Sequence, residues 1–189
     1  MLAKKFILFL FCLLIPVLAY SEAIPQKEAK VLVVYYSRTG NTRMVAEKLA
    51  QKFNADLEQL IDRHKRTGLF GFTSAGKDAL AKKITVIAPL KYNPGDYDII
   101  LIGGPSWISH VTPAIRTFIL QNDLSAKAVG LFGTCHVSGV EQALAEAKDL
   151  ISKGRSEKFP ILPLREKELT EEILTKKIGE FYQAVQEVK

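Results

Sequence analysis

Continuous apolar runs recur along the chain and alternate with longer stretches of mixed polarity. The runs VLVVYY, IILIGG and AVGLFG begin at residues 31, 99 and 128 and are rich in β-branched or aromatic side chains. Such runs are typical of strands that are buried on both faces of a sheet. A shorter run at 56–61 and the proline-flanked FPILPL at 159–164 predict two more strands. The prolines favour an edge position for the last one.

The stretches that follow the strands carry apolar residues at helical spacing. After the first strand, such residues lie on one side of a predicted helix, namely Met44, Val45, Leu49 and Phe53. Thr112 followed by Pro113 is a typical helix start. The two remaining helices are predicted over 140–154 and 169–188. This alternation predicts an α/β fold with a parallel sheet of five strands, covered by helices on both faces.

Residues 62–94 interrupt the alternation of strands and helices. Three glycines break any regular pattern there, although 76–83 has the composition of a short helix. Phe70 and Phe72 indicate that the segment is tucked onto the domain, because large apolar side chains seldom remain exposed. The length of the segment also fits a lid over a ligand, so both interpretations stay open.

The turn after the first strand leads directly into the first predicted helix and reads SRTGNT over residues 37–42. Its serine and threonines offer hydroxyl donors, and Gly40 permits a bend that a Cβ would obstruct. Backbone amides and the positive dipole end at a helix N-terminus favour an anion. The turn lacks the nucleoside triphosphate and dinucleotide fingerprints. We therefore predict a site for the terminal phosphate of a smaller ligand, with an N-capped turn without a ligand as the alternative.

Two other predicted strand ends carry unusual sequence, GGPSWISHVTP at 103–113 and GTCHVSG at 133–139. In open α/β sheets, ligands bind beyond the carboxyl ends of the strands, at the point where the strand order reverses. Trp107 is the only tryptophan of the chain and lies in the first of these loops. Its ring is suited to stack on a planar heterocycle. Packing against the sheet edge is the alternative.

Together these stretches resemble the flavodoxin family over nearly all of residues 30–189. SRTGNT is similar to the flavodoxin phosphate loop S/T-x-T-G-N-T, and YDIILIGGPSW contains the family's G-x-P-x-W/Y pattern. The resemblance implies a doubly wound sheet of strand order 2-1-3-4-5 in a three-layer α/β/α sandwich, with flavin mononucleotide (FMN) as the cofactor. The phosphate contacts that it implies come from Ser37, Arg38, Thr39, Gly40, Asn41 and Thr42. The implied flavin-ring contacts come from Pro105, Ser106, Trp107, Thr134, Cys135 and His136.

The sequence departs from the family pattern in both ring loops. Ile108 stands where glycine is frequent, and His136 and Val137 replace glycines of the pattern T-x-G-G-S-G. A redox-linked peptide flip is harder without glycine, so the redox potential cannot be transferred from the family. His110 and His136 are candidates for a cation that raises the flavin potential, with solvated loop histidines as the alternative. Cys135 is interpreted as a small packing residue rather than a redox thiol.

The first 23 residues have the pattern of a secretory signal peptide. A short basic start is followed by an apolar run and by small residues that predict cleavage after Ala23, with Ala19 as an alternative. We therefore expect an exported, periplasmic protein with a linker at 24–30 and a single flavodoxin-like domain at 31–189. An uncleaved anchor is the alternative, although the apolar run is short for a membrane span and contains a proline.

The formal net charge is +6, and the distribution of the charged residues bears on which partners are expected. Basic residues are interspersed with acidic ones, so nucleic-acid binding is not predicted. A redox partner protein, a small-molecule acceptor and peripheral contact with an anionic membrane surface all stay open. The predicted function is FMN-dependent electron transfer. The alternatives are an NAD(P)H-dependent flavin reductase of a small molecule such as a quinone, and an exported binding module that has lost its flavin.

Overall fold

The computed structural model describes residues 29–64, 76–125, 127–152 and 159–188. Within them, the strands form one parallel sheet in the order β2-β1-β3-β4-β5. Their bounds are β1 Val31–Tyr35, β2 Asp56–Gln59, β3 Ile99–Pro105, β4 Ala128–Cys135 and β5 Ile161–Arg165. The predicted strand order is confirmed, and the fifth strand lies at an edge as its prolines indicated.

The longer helices of the described residues cover the two faces of the sheet. Their bounds are α1 Asn41–Phe53, α2 Pro113–Gln121, α3 Val140–Ser152 and α4 Glu171–Glu187. Helices α1 and α4 share one apolar core with the sheet, and α2 and α3 share the other. The molecule is therefore the three-layer α/β/α sandwich that the resemblance implied.

The side chains of strand β1 alternate between the two cores. Val31, Val33 and Tyr35 belong to the core beneath α1 and α4. Leu32 and Val34 belong to the core beneath α2 and α3. Burying a side chain of this size stabilises the fold by about 1.5–3 kcal/mol. A shift of one residue would exchange the two sets, so β1 holds the turn that follows it in a fixed place.

Several predicted boundaries differ from the structure by a few residues. Strand β2 ends at Gln59 rather than at 61, because the chain turns away to form an antiparallel bridge between Asp62 and Ile87. Helix α4 begins at Glu171 rather than at 169, because a 3-10 turn precedes it. The helical piece predicted over 76–83 is helical only over 76–80. These differences arise at contacts that periodicity does not reveal.

The described part of the 62–94 segment lies against α2 and the loop before it. The Thr85 amide donates a hydrogen bond of 2.9 Å to Thr117 Oγ1 on α2. A Cβ at Gly76 would lie 2.6 Å from Cδ1 of Ile108, so the glycine lets the two segments touch. Phe70 and Phe72 lie outside the described residues. The tucked and lid interpretations of the segment therefore both remain predictions.

No helix among the described residues has both the length and the apolar character needed to cross a membrane. Residues 1–23 and most of the 24–30 linker lie outside the described ranges. Export and the cleavage position therefore remain predictions from the sequence.

Candidate functional site

The carboxyl ends of β1, β3 and β4 lie side by side at one edge of the sheet. Tyr35 pairs with Gly103 across β1 and β3, and Pro105 pairs with Thr134 across β3 and β4. The chain leaves β1 toward β2 on one side and returns to β3 on the other, so the strand order reverses between β1 and β3. The crevice at such a reversal is the general ligand position of open α/β sheets. The three loops singled out in the sequence meet there.

The first loop, residues 37–42, is called the phosphate turn below. Gly40 is the N-cap of α1 and has φ of +102°, a conformation that L-residues rarely adopt. Its amide donates a hydrogen bond of 3.2 Å to Ser37 Oγ, and the first helical bond runs from the Met44 amide to the Gly40 carbonyl. The amides of the first helical turn therefore point out of the helix, where they favour an anion.

Space and polarity around the phosphate turn suit a ligand that approaches the backbone. A Cβ built on Gly40 would meet no atom within 4 Å, so the space at that position is open. Ser37 and Asn41 are half-buried, and Arg38 and Thr39 are exposed. Thr42 differs, because its side chain is only 1% exposed. Any contact that Thr42 makes with a phosphate is thus expected from its amide rather than its hydroxyl.

The hydroxyl of Thr42 instead links two of the loops. Its Oγ1 lies 2.7 Å from Oγ1 of Thr134, which is the buried end of the third loop. This hydrogen bond connects the start of α1 directly to the end of β4, across 92 residues of sequence. Two residues that were predicted to touch opposite ends of the ligand therefore also hold the phosphate turn and the third loop together.

The second loop contains a tight two-residue turn at residues 107–110, called the tryptophan turn below. Trp107 and His110 form an antiparallel bridge, with amide-to-carbonyl hydrogen bonds of 3.1 and 3.0 Å in the two directions. The residues between them, Ile108 and Ser109, have φ of +50° and +63°. Positive φ at both central positions is the mark of a type I′ turn, which ordinarily prefers asparagine and glycine. Each such residue costs about 1–2 kcal/mol, so this turn is strained.

Neighbouring elements hold the strained turn from several sides. The Ser106 amide donates to the Thr134 carbonyl and the Ser106 hydroxyl to the Gly139 carbonyl, both at 2.8 Å. Ser109 lies so close to Gly139 that a Cβ there would be 2.4 Å from Ser109 Oγ. Gly139 itself has φ of +93°. The second and third loops are thus packed against one another through a glycine.

Trp107 is half-buried and packs on the body of the domain. Its ring meets Tyr36 edge to face, with 5.7 Å between centroids and 82° between planes. It also packs against the core beneath α2 and α3. The packing role is therefore observed in the structure. Stacking of its ring on a heterocycle stays a prediction that this contact would support, because Tyr36 holds the indole from one side.

The third loop begins with three buried residues, is exposed at 136–138 and is buried again at Gly139. Burial raises the pKa of the Cys135 thiol, which keeps it protonated and weakly reactive near neutral pH. This agrees with the interpretation of Cys135 as a packing residue. The His136 side chain is 83% exposed, and its Nδ1 contacts the Glu166 carboxylate. A positive charge on His136 would thus have a negative partner beside it.

The structure also brings in two residues that the sequence did not single out, Glu146 on α3 and Arg116 on α2. Glu146 Oε1 lies 2.5 Å from Nη2 of Arg116, and its other oxygen lies 3.2 Å from Nδ1 of His110. Burial raises the pKa of Glu146, but hydrogen bonds from the Val111 amide and from Arg116 outweigh this and lower it overall. The only sequence signal was a charged residue beside apolar ones on each predicted helix.

Comparisons with known proteins agree with this fold. The family model for flavodoxin matches residues 30–177. A candidate flavoprotein from Bacteroides uniformis is 23% identical, with a TM-score of 0.67 over 81% of this chain and 99% of that chain. A candidate flavoprotein from Bacteroides eggerthii is 25% identical, with a TM-score of 0.61 over 82% and 98% of the two chains.

A third solved structure is of a flavoprotein from Lactobacillus acidophilus in complex with FMN. It is 20% identical, with a TM-score of 0.60 over 75% of this chain and 96% of that chain. A sequence comparison with curated proteins gives no significant match. The family model covers most of the chain, and the sheet has the order and the loop positions that the resemblance implied. The chain belongs to the flavodoxin family.

Proposed function

We propose that this protein binds FMN at the carboxyl edge of its sheet and carries electrons with it. The observation that supports the proposal best is the meeting of the phosphate turn, the tryptophan turn and the third loop at the strand-order reversal. Helix-terminal amides, an open glycine and a supported aromatic ring lie together there. The FMN bound by the Lactobacillus acidophilus flavoprotein, a structural neighbour, also supports it.

In this proposal the phosphate is held by the turn at 37–42, through backbone amides and the hydroxyls of Ser37 and Thr39. The flavin ring is held by Pro105, Ser106 and Trp107 on one side of the crevice and by residues 134–136 on the other. FMN, when bound, supplies the redox chemistry, and the protein supplies orientation, stacking and electrostatics. Burial raises the pKa of the Cys135 thiol, which disfavours thiol chemistry beside the flavin and is consistent with electron transfer.

The test is an absorbance and fluorescence titration of the purified protein with FMN and with riboflavin, which is FMN without its phosphate. We expect FMN to bind with quenching of flavin and Trp107 fluorescence, and to bind more tightly than riboflavin. A colourless protein that takes up neither ligand would overturn the proposal and favour a binding module without flavin.

A second measurement separates the carrier from an enzyme. The FMN-loaded protein is mixed with NADH or NADPH and a quinone, and turnover is followed by nicotinamide absorbance. A carrier is expected to show no more turnover than free FMN at the same concentration. Sustained turnover above that control would replace the carrier proposal with a reductase.

We also propose that the protein is exported and acts in the periplasm, where it would meet a redox partner protein, a small-molecule acceptor or the membrane surface. The support is the signal-peptide pattern of residues 1–23. Mass measurement of the protein from its native cells is expected to show a mature start at Ile24, or at Tyr20 if cleavage follows Ala19. A full-length chain in the cytoplasmic fraction would contradict export.

A further inference from the structure

The residues that leave the tryptophan turn contact the carboxylate of Glu146 on helix α3. The amide of Val111, the first residue after the turn, donates a hydrogen bond of 3.0 Å to Oε2 of Glu146 on α3. His110 Nδ1 lies 3.2 Å from the same oxygen. Two successive residues at the exit of the turn are therefore fixed by one atom. Glu146 is separated from Val111 by 35 residues of sequence.

The other carboxylate oxygen of Glu146 pairs with a buried arginine. Oε1 accepts a hydrogen bond of 2.5 Å from Nη2 of Arg116, whose side chain is 4% exposed. A buried guanidinium needs a paired and hydrogen-bonded counter-charge. Lys82, which is 63% exposed, lies 3.7 Å from Oε1. The two oxygens of Glu146 thus have different partners. Oε1 pairs with the buried Arg116, and Oε2 contacts the residues that leave the tryptophan turn.

The strain in the turn explains why such a support is needed. Ile108 and Ser109 both have positive φ, which residues with a Cβ adopt only when their surroundings over-determine them. The entry of the turn is fixed by the two hydrogen bonds of Ser106 to the end of β4 and its loop. The exit is fixed by Glu146. The carboxylate that pairs with Arg116 on α2 is therefore also bonded to the residues that leave the tryptophan turn.

We infer that Glu146 is a positioning residue of the flavin site, which holds the tryptophan turn in its strained form through His110 and Val111. The inference rests on the proposed function, because the flavin ring is what the turn would serve. The competing account gives Glu146 only the role of neutralising Arg116. That account predicts lower stability on neutralisation of Glu146 but no change of Trp107 in the folded protein.

The test compares Glu146→Gln with Asp149→Asn. Asp149 is an exposed acid about one turn further along α3, so both variants remove one negative charge from the same helix. Acrylamide quenching of Trp107 is measured without flavin, and the affinities for FMN and riboflavin are measured with it. Folding is checked by circular dichroism.

For Glu146→Gln we expect acrylamide quenching of Trp107 to rise about twofold. Hydrogen bonds to a charged carboxylate stabilise the fold more than an exposed ion pair does, so their weakening should loosen the tryptophan turn. We expect the FMN and riboflavin affinities to fall together, by about five- to tenfold. Asp149→Asn should match the wild type in all three measurements. A folded Glu146→Gln variant that behaves like Asp149→Asn would overturn the inference.

A second variant covers the case in which Glu146→Gln does not fold. His110→Ala leaves the Arg116–Glu146 pair intact and removes one of the two loop contacts, so an effect of about two- to threefold is expected in the same measurements. No change in this variant would then overturn the inference. Failure of the proposed function is recognised separately. A wild-type protein that binds neither flavin would refute that function, whereas the Trp107 quenching without flavin would still decide the role of Glu146.

Discussion

The phosphate turn and the tryptophan turn both contain residues at positive φ, but different contacts support these residues. Both need positive φ next to a ligand crevice. The phosphate turn places Gly40 at that position and holds it by a hydrogen bond within four residues, to Ser37. The tryptophan turn places Ile108 and Ser109 there and depends on supports from distant parts of the chain. The glycine at positive φ is thus supported within the phosphate turn, where only Thr42 bonds to a distant residue among the contacts described above, whereas the strained residues of the tryptophan turn are supported by the fold.

This difference predicts how each turn responds to change. A local turn is disturbed chiefly by substitutions within it, and it should affect only the group that it contacts. A turn that is held by α3, β4 and the third loop should respond to substitutions in all of them. Comparing FMN with riboflavin separates the two, because only FMN carries the phosphate.

The largest effect is expected from Trp107→Ala. Aromatic stacking on a heterocycle is worth about 1–3 kcal/mol by alanine substitution, so affinity should fall about 10- to 100-fold for FMN and riboflavin alike. The measurement is a titration followed by flavin absorbance. Trp107→Phe, which keeps an aromatic ring, is the control and should lose much less.

Equal loss for the two ligands is the informative part of that result. If Trp107→Ala weakened FMN but left riboflavin unchanged, the indole would be acting on the phosphate end. If neither affinity changed, Trp107 would be a packing residue only, as its contacts with Tyr36 and the core allow.

The next effect comes from a pair of glycine substitutions. Gly40→Ala adds a Cβ with no atom within 4 Å, so its cost is the strain at φ of +102° alone. That strain of about 1–2 kcal/mol should lower FMN affinity by up to about 30-fold and leave riboflavin unchanged. Gly139→Ala adds strain at +93° and also a contact of 2.4 Å with Ser109 Oγ. It should weaken both ligands, because it displaces the tryptophan turn.

Titrations of both variants with both flavins check this pair, with melting temperatures recorded to exclude general unfolding. The contrast between the turns would be lost if Gly40→Ala weakened riboflavin as much as FMN. It would also be lost if Gly139→Ala affected FMN alone.

The same contrast explains what the sequence could reveal. The sheet was predictable because strands buried on both faces have continuous apolar runs, as in Val31–Tyr35. The phosphate turn was predictable because its glycine, its hydroxyls and its helix are adjacent in the sequence. Strand β2 was predicted two residues too long because its end is set by the Asp62–Ile87 bridge, a contact with no periodic signal.

The supports of the tryptophan turn were not predictable for a physical reason. Arg116 and Glu146 lie 30 residues apart on different helices, and each resembles an ordinary surface charge until the helices pack. The sequence showed that Ile108 replaces a frequent glycine and that a flip would be costly. It did not show that Ile108 already has positive φ, because the residues that contact this turn, Gly76, Gly139 and Glu146, are distant from it in the sequence.

The smallest effect is expected from acid. Hydrogen bonds from Val111 and Arg116 outweigh burial and lower the pKa of Glu146 below its ordinary value of 4.5. A carboxylate with a lowered pKa stabilises the fold fully above that ordinary value, and its contribution is lost as the pH falls through the lowered one. Trp107 should therefore become more accessible to acrylamide below about pH 4.5. The hydrogen bond between the Gly40 amide and Ser37 joins neutral groups and should be insensitive to this change.

Glu146→Gln is the matched control for the acid experiment, because it removes the titrating group and keeps the rest of the acid response. Glu168, whose pKa is lowered chiefly by the hydrogen bond from Lys177, titrates in both proteins and its effect cancels in the comparison. The wild type should show an acid-dependent rise in Trp107 quenching while its circular dichroism stays native, and Glu146→Gln should show raised quenching at every pH. Parallel pH profiles for the two proteins would mean that protonation of Glu146 does not loosen the tryptophan turn. The hydrogen bonds from Glu146 would then not be what keeps Ile108 and Ser109 at positive φ, and the proposed contrast with the phosphate turn would be lost.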